Sequence, residues 1–109
     1  MARTPFRDIQ QVSAATLTAY YTAPTGVNTT LSVVRAINIT ATSLNIDVYK
    51  NDGATDFLID TFHLPGGSGR SRQLYGLERV VLHAGDSLKF QPDSAAAWNL
   101  DINGSEVEI

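Results

Sequence analysis

Apolar and polar residues alternate through much of this chain, most clearly near its end. Trp98, Leu100 and Ile102 are apolar, and Asn99, Asp101 and Asn103 between them are polar. After a step at Gly104–Ser105, Val107 and Ile109 alternate with Glu106 and Glu108. A period of two puts successive side chains on opposite faces of a strand, so this stretch reads as a half-buried β-strand. The chain stops within the pattern, so the strand is expected in the core with its C-terminus held in place. Leu44, Ile46 and Val48 alternate in the same way with Asn45, Asp47 and Tyr49, and Leu88 and Phe90 with Lys89 and Gln91. Leu31 to Thr40 reads as another strand, with Leu31, Val33, Ile37 and Ile39 on one face. Arg35 interrupts that face. Either a bulge shifts the register there or its guanidinium reaches a carboxylate.

Turn residues separate these strands. Ala14 to Tyr21 reads as a first strand, closed by the turn Ala23-Pro24-Thr25-Gly26. Asn51-Asp52-Gly53 is a tight-turn signal that joins the Leu44 strand to Phe57–Leu64. Pro65-Gly66-Gly67-Ser68-Gly69-Arg70 reads as a flexible loop. Short strands follow around Ser71–Tyr75 and Val80–Leu82, then the turn His83-Ala84-Gly85-Asp86, and a loop over Pro92–Ala97. No helical period of useful length appears. About eight short strands, with turn signals every 8–12 residues or so, predict an antiparallel sandwich or small barrel. Residues 1–15 read as a polar N-terminal arm and 16–109 as the β-domain.

A chain of 109 residues makes one domain. It has no cysteine, so its core must hold by packing or with help from neighbouring subunits. No apolar run approaches the roughly 20 residues of a membrane span. The first residues lack the apolar core of a signal peptide, so the chain is expected to be made in a cytoplasm. A net charge of −3 argues against direct nucleic-acid binding. Charged residues are 17% of the chain, sparse for a free soluble domain, and suit a protein that covers much of its surface with partners.

No residue set points to catalysis. The loop at 65–70 lacks the glycine spacing, the lysine and the helix of a phosphate-binding loop. Gly66-Gly67-Ser68-Gly69 lacks the spacing and α/β setting of a nucleophile elbow. His63 and His83 are too few for zinc without cysteine, and His83 near Asp86 reads as a turn histidine. Asp52 and Asp56 read as a solvated hairpin tip, without the spacing of a calcium loop. Asn28-Thr29-Thr30, Asn38-Ile39-Thr40 and Asn103-Gly104-Ser105 read as chance triplets. No catalytic residue, metal or cofactor is expected.

Two arginine clusters are the candidate partner-binding residues. Arg3 and Arg7 flank Phe6, and Arg70 and Arg72 flank Ser71. A planar guanidinium suits interface ion pairs, and an aromatic between arginines suits a docking anchor. Tyr20, Tyr21 and Tyr75 could stack on sugars, but core or rim packing is the plainer use of such rings.

Three segments, in order, carry a resemblance. They are Tyr20-Tyr21-Thr22-Ala23-Pro24-Thr25-Gly26, Val81-Leu82-His83-Ala84-Gly85-Asp86-Ser87-Leu88, and Trp98 through Ile109. Together they resemble small β-sandwich virion proteins of tailed bacteriophages, across most of residues 16–109. The resemblance implies an all-β, single-domain, antiparallel β-sandwich of jelly-roll-like form. It also implies a non-enzymatic capsid decoration (cement) protein on the outer head surface. Its partners would be the major capsid protein and copies of itself, as a trimer on the capsid. The alternative within such folds is a tail, baseplate or head–tail joint component, including a carbohydrate-binding module.

Overall fold

Trp98, Leu100 and Ile102 are fully buried because they occupy the inner face of a strand that lies inside one sheet and is covered there by the core residues of a second sheet. The computed structural model describes residues 3–67 and 71–109. Among these it forms nine strands: β1 (Arg3–Val12), β2 (Thr18–Thr22), β3 (Val27–Asn38), β4 (Leu44–Asn51), β5 (Asp56–Leu64), β6 (Ser71–Gln73), β7 (Val81–Leu82), β8 (Ser87–Pro92) and β9 (Trp98–Glu108). One sheet runs β1-β9-β3-β6, with β7 also on β3, and the other runs β2-β8-β4-β5. Every pairing is antiparallel. β6 and β7 lie end to end along β3 and act as one interrupted strand. Two four-strand layers in this order form a jelly-roll β-sandwich.

The inner faces supply one core. Phe90 of β8 packs edge-on against Trp98 of β9, with ring centroids 5.8 Å apart, and Tyr20 tilts against Phe90 at 6.0 Å. Leu44, Ile46 and Val48 face the same interior, as their alternation predicts. Between β6 and β7 the chain leaves the sheet and returns. Leu74 N donates to Val34 O, and Arg79 N donates to Leu31 O, so β3 holds both ends of this excursion. Leu77 at its middle is fully buried, and Gly76 turns the chain with φ of 100°.

Residues 3–12 correct the reading of an N-terminal arm. They pair with β9 from Arg3↔Val107 to Val12↔Trp98. Sequence alternation is muted there because β1 is an edge strand near the sandwich rim. Its inward side carries Asp8 and Gln10 beside Phe6 and Val12. Gln10 Nε2 donates to Tyr20 O at 3.1 Å and ties the two sheets together. Pro5 is tolerated because an edge strand can spare an N–H on its open side.

Two bulges decide where key side chains point. β3 pairs Leu31 with Gly104 and Val33 with Asn103, leaving Ser32 as the extra residue. Leu31, Val34, Ala36 and Asn38 therefore face inward, and Val33, Arg35 and Ile37 face outward. The expected single face of Leu31, Val33 and Ile37 is thus split. Both alternatives for Arg35 hold: a bulge shifts the register, and the guanidinium reaches Asp101. In β2 the extra residue is Tyr20, which turns Tyr20 and Tyr21 together towards the core.

Candidate functional site

The described arginines of the two clusters lie on opposite edges of one sheet. Arg3 and Arg7 are exposed on β1, and Arg72 is exposed on β6, with β9 and β3 between those strands. Arg70 lies outside the described residues. Phe6 is not the free anchor that docking requires. Its ring stacks on Tyr21 at 4.7 Å between centroids, 16° from parallel, and packs on the core.

Arg7 joins a residue that sequence spacing does not place beside it. On the outer face of this sheet, Asp101 of β9 accepts from Arg7 Nε at 3.4 Å and from Arg35 Nη2 at 3.5 Å. Ile9 and Ile37 flank the group in a shallow depression of about 310 Å³. Two half-exposed guanidiniums share one largely covered carboxylate, so the patch is net positive. Arg35 came from β3, and only the Ser32 bulge brings it to this face.

The tyrosines divide. Tyr21 is engaged internally: its hydroxyl donates to Glu106 Oε2 at 2.5 Å and accepts from Thr29 Oγ1 at 2.8 Å. Burial first, then the hydrogen bond to Glu106, pushes this hydroxyl up to about 12. Tyr20 is half-buried against Phe90. Both are packing residues, not sugar platforms. Tyr75, on the excursion between β6 and β7, is exposed.

The outer face of the second sheet carries a polar cluster. Asn45, Asp47, Gln91 and Asp93 line a depression of about 290 Å³ with Ala15 and Pro92. Asp93 accepts from Asn45 N and Nδ2, both at 3.1 Å, and Asp47 accepts from Thr61 Oγ1 at 3.0 Å. His63 Nδ1 lies 2.8 Å from Asn45 Oδ1.

The remaining candidates serve local structure. Asp52 Oδ1 accepts from the N–H groups of Thr55 and Ala54, which hold its carboxyl below the ordinary range. The Asn51 side chain, then Lys89 at 2.9 Å, does the same for Asp56. Asp86 Oδ2 accepts from His83 N, closing the turn that contains them. Asn38 is buried, donating to Thr42 O and Leu64 O and accepting from Thr40.

One surface was missed. β5 is a sheet edge, hydrogen-bonded to β4 on one side. On it Phe57, Leu58 and Ile59 are 51%, 57% and 39% exposed. Phe57 stands opposite Lys50, Leu58 opposite Tyr49, and Ile59 is the extra residue of a bulge before Asp60. The signal was present in sequence: three consecutive apolar residues break the period of two, and one buried face can take only alternate ones.

No family model matches the chain, and no curated protein matches it. Among solved structures it is similar to a chain from the disulfide-linked pili of Bacillus endospore appendages. Identity is 16%, the TM-score is 0.49, and the match covers 97% of this chain and 88% of that one. The disulfide linkage belongs to that protein; this chain has no cysteine.

Proposed function

We propose that this protein is a non-enzymatic decoration (cement) protein on the outer surface of a tailed-phage head. In this reading it docks on the major capsid protein and strengthens contacts between capsid subunits. The observation that carries the docking is the β5 edge. Exposed apolar residues on an open sheet edge are a liability for a free domain, and proteins ordinarily cover or charge such an edge. Phe57, Leu58 and Ile59 are left uncovered, which suits a chain that works against a larger surface. The resemblance of the Tyr20, Val81 and Trp98 segments to phage virion proteins supports the choice of that surface. Binding then adds stability to both partners by mass action.

The test is co-sedimentation of the protein with phage heads stripped of it. Wild type should pellet with the heads. Leu58→Asp should keep its thermal midpoint, because the side chain is exposed, and lose most of its binding. Equal pelleting of variant and wild type would remove β5 from the interface. No pelleting of wild type would remove the capsid.

A second reading, a tail or baseplate component that binds carbohydrate, is favoured by the exposed ring of Tyr75. Glycan-array binding that Tyr75→Ala abolishes would support it over the first.

A further inference from the structure

The outer faces of the two sheets carry mirrored charge. On the β1-β9-β3 face stand Arg3, Arg7 and Arg35 against one carboxylate, Asp101. On the β5-β4-β8 face stand Asp47, Asp56 and Asp93 against one ammonium, Lys89. Each face has a shallow depression at its charged centre, about 310 Å³ on the basic side and about 290 Å³ on the acidic side. The basic one is flanked by Ile9 and Ile37, and the acidic one by Ala15 and Pro92, so each offers apolar area beside its charges.

We infer that copies of this chain associate through these faces, the basic face of one copy against the acidic face of the next. The occupant is a second copy because both halves of the match lie on one molecule. The net charge is −3, so the basic face is a local reversal and not a property of the whole surface. Arg7 uses Nε and Arg35 uses Nη2 on Asp101. A guanidinium has five N–H donors, so each keeps donors for a neighbour's carboxylate. The two faces lie on opposite sides of the sandwich and differ from each other. The contact is therefore head-to-tail: it leaves a free face at each end and builds a ring or a row, not a closed two-fold pair. Exposed ion pairs add little affinity one by one, so the contact is weak in dilute solution and grows where copies are concentrated on a common surface. This goes beyond the β5 reading and stands without it, since it needs neither the exposed apolar residues Phe57, Leu58 and Ile59 nor a capsid.

The experiment is sedimentation velocity of the full chain over a range of concentrations and salt. Raising ionic strength from about 0.01 M to about 1 M cuts the Debye length from about 30 Å to about 3 Å. Association should appear at low salt and weaken at least about tenfold over that range. Two charge reversals give the sharper reading. Arg3→Glu/Arg7→Glu makes both faces acidic, and Asp47→Lys reduces the acidic face. Each variant alone should self-associate less than wild type. Their mixture should recover association, because the first variant keeps its acidic face and the second keeps its basic one. Wild type that stays monomeric at low salt would overturn the inference. So would association indifferent to salt, or a mixture of folded variants no more associated than either alone. If a variant fails to fold, the salt dependence of wild type still decides.

Discussion

The Tyr21 hydroxyl and the Glu106 carboxylate meet at 2.5 Å, which joins β2 of one sheet to β9 of the other at the rim of the sandwich. Thr29 of β3 donates to the same hydroxyl, and Phe6 of β1 lies flat on the ring. Four strands thus converge on one phenol. Tyr21 occupies this position because the bulge at Tyr20 turns it inward.

Tyr21→Phe should therefore cost about 1–3 kcal/mol, because it leaves Glu106 and Thr29 without their partner while keeping the ring. The cost should depend on pH. The hydroxyl rises from an ordinary value of 10.0 to about 12 in the folded chain. A raised value means the unfolded chain loses this proton first, so stability from the bond is complete below pH 10 and falls as pH rises towards about 12. Denaturant midpoints of wild type and variant should be well separated at neutral pH and converge over that alkaline range. A gap that stays constant would mean the hydroxyl does not hold its proton in this bond.

Gly104→Ala should destabilise by about 1–3 kcal/mol through overpacking. A Cβ there would run into the carbonyl oxygen of Thr30 and come within 2.8 Å of the Phe6 ring. The first is backbone of the neighbouring strand and cannot swing aside. The Phe6→Leu background should recover part of the loss, and thermal melts of the two single variants and the double variant measure it. No loss in Gly104→Ala would show that β3 and β9 can separate there.

Removal of residues 1–13 should abolish the cooperative unfolding transition or lower its midpoint sharply. β1 is a strand of the sheet: it covers one edge of β9 along its length and brings Phe6 to Tyr21 and Val12 to the core. Circular dichroism melts of the truncated chain check this. An unchanged midpoint would return the segment to the status of an arm.

Strands with a strict period of two were legible because one face of each is buried. That holds for Leu44–Val48, Leu88–Phe90 and Trp98–Ile102. The all-β sandwich follows from them and from the turns between them. Bulges were not legible, because Ser32 and Tyr20 look like any other strand residue until a partner register is known. That is why Arg35 left the core face and why the pairing of Arg7 and Arg35 on Asp101 has no linear signature. β1 lacks a clear alternation for another reason: its inward positions include the half-buried Asp8 and Gln10, and Gln10 donates its amide to Tyr20 O. Arg3, Phe6 and Arg7 read in sequence as one docking cluster, and the fold separates the ring from the two arginines. Arg3 and Arg7 face solvent while Phe6 turns inward.

The most direct test of the proposed function is immunogold labelling of tailed-phage virions, using antibody against the folded protein. Gold distributed over the whole head is the expected result for a decoration protein. Gold confined to the tail or the portal vertex, or no gold on any virion, would contradict it.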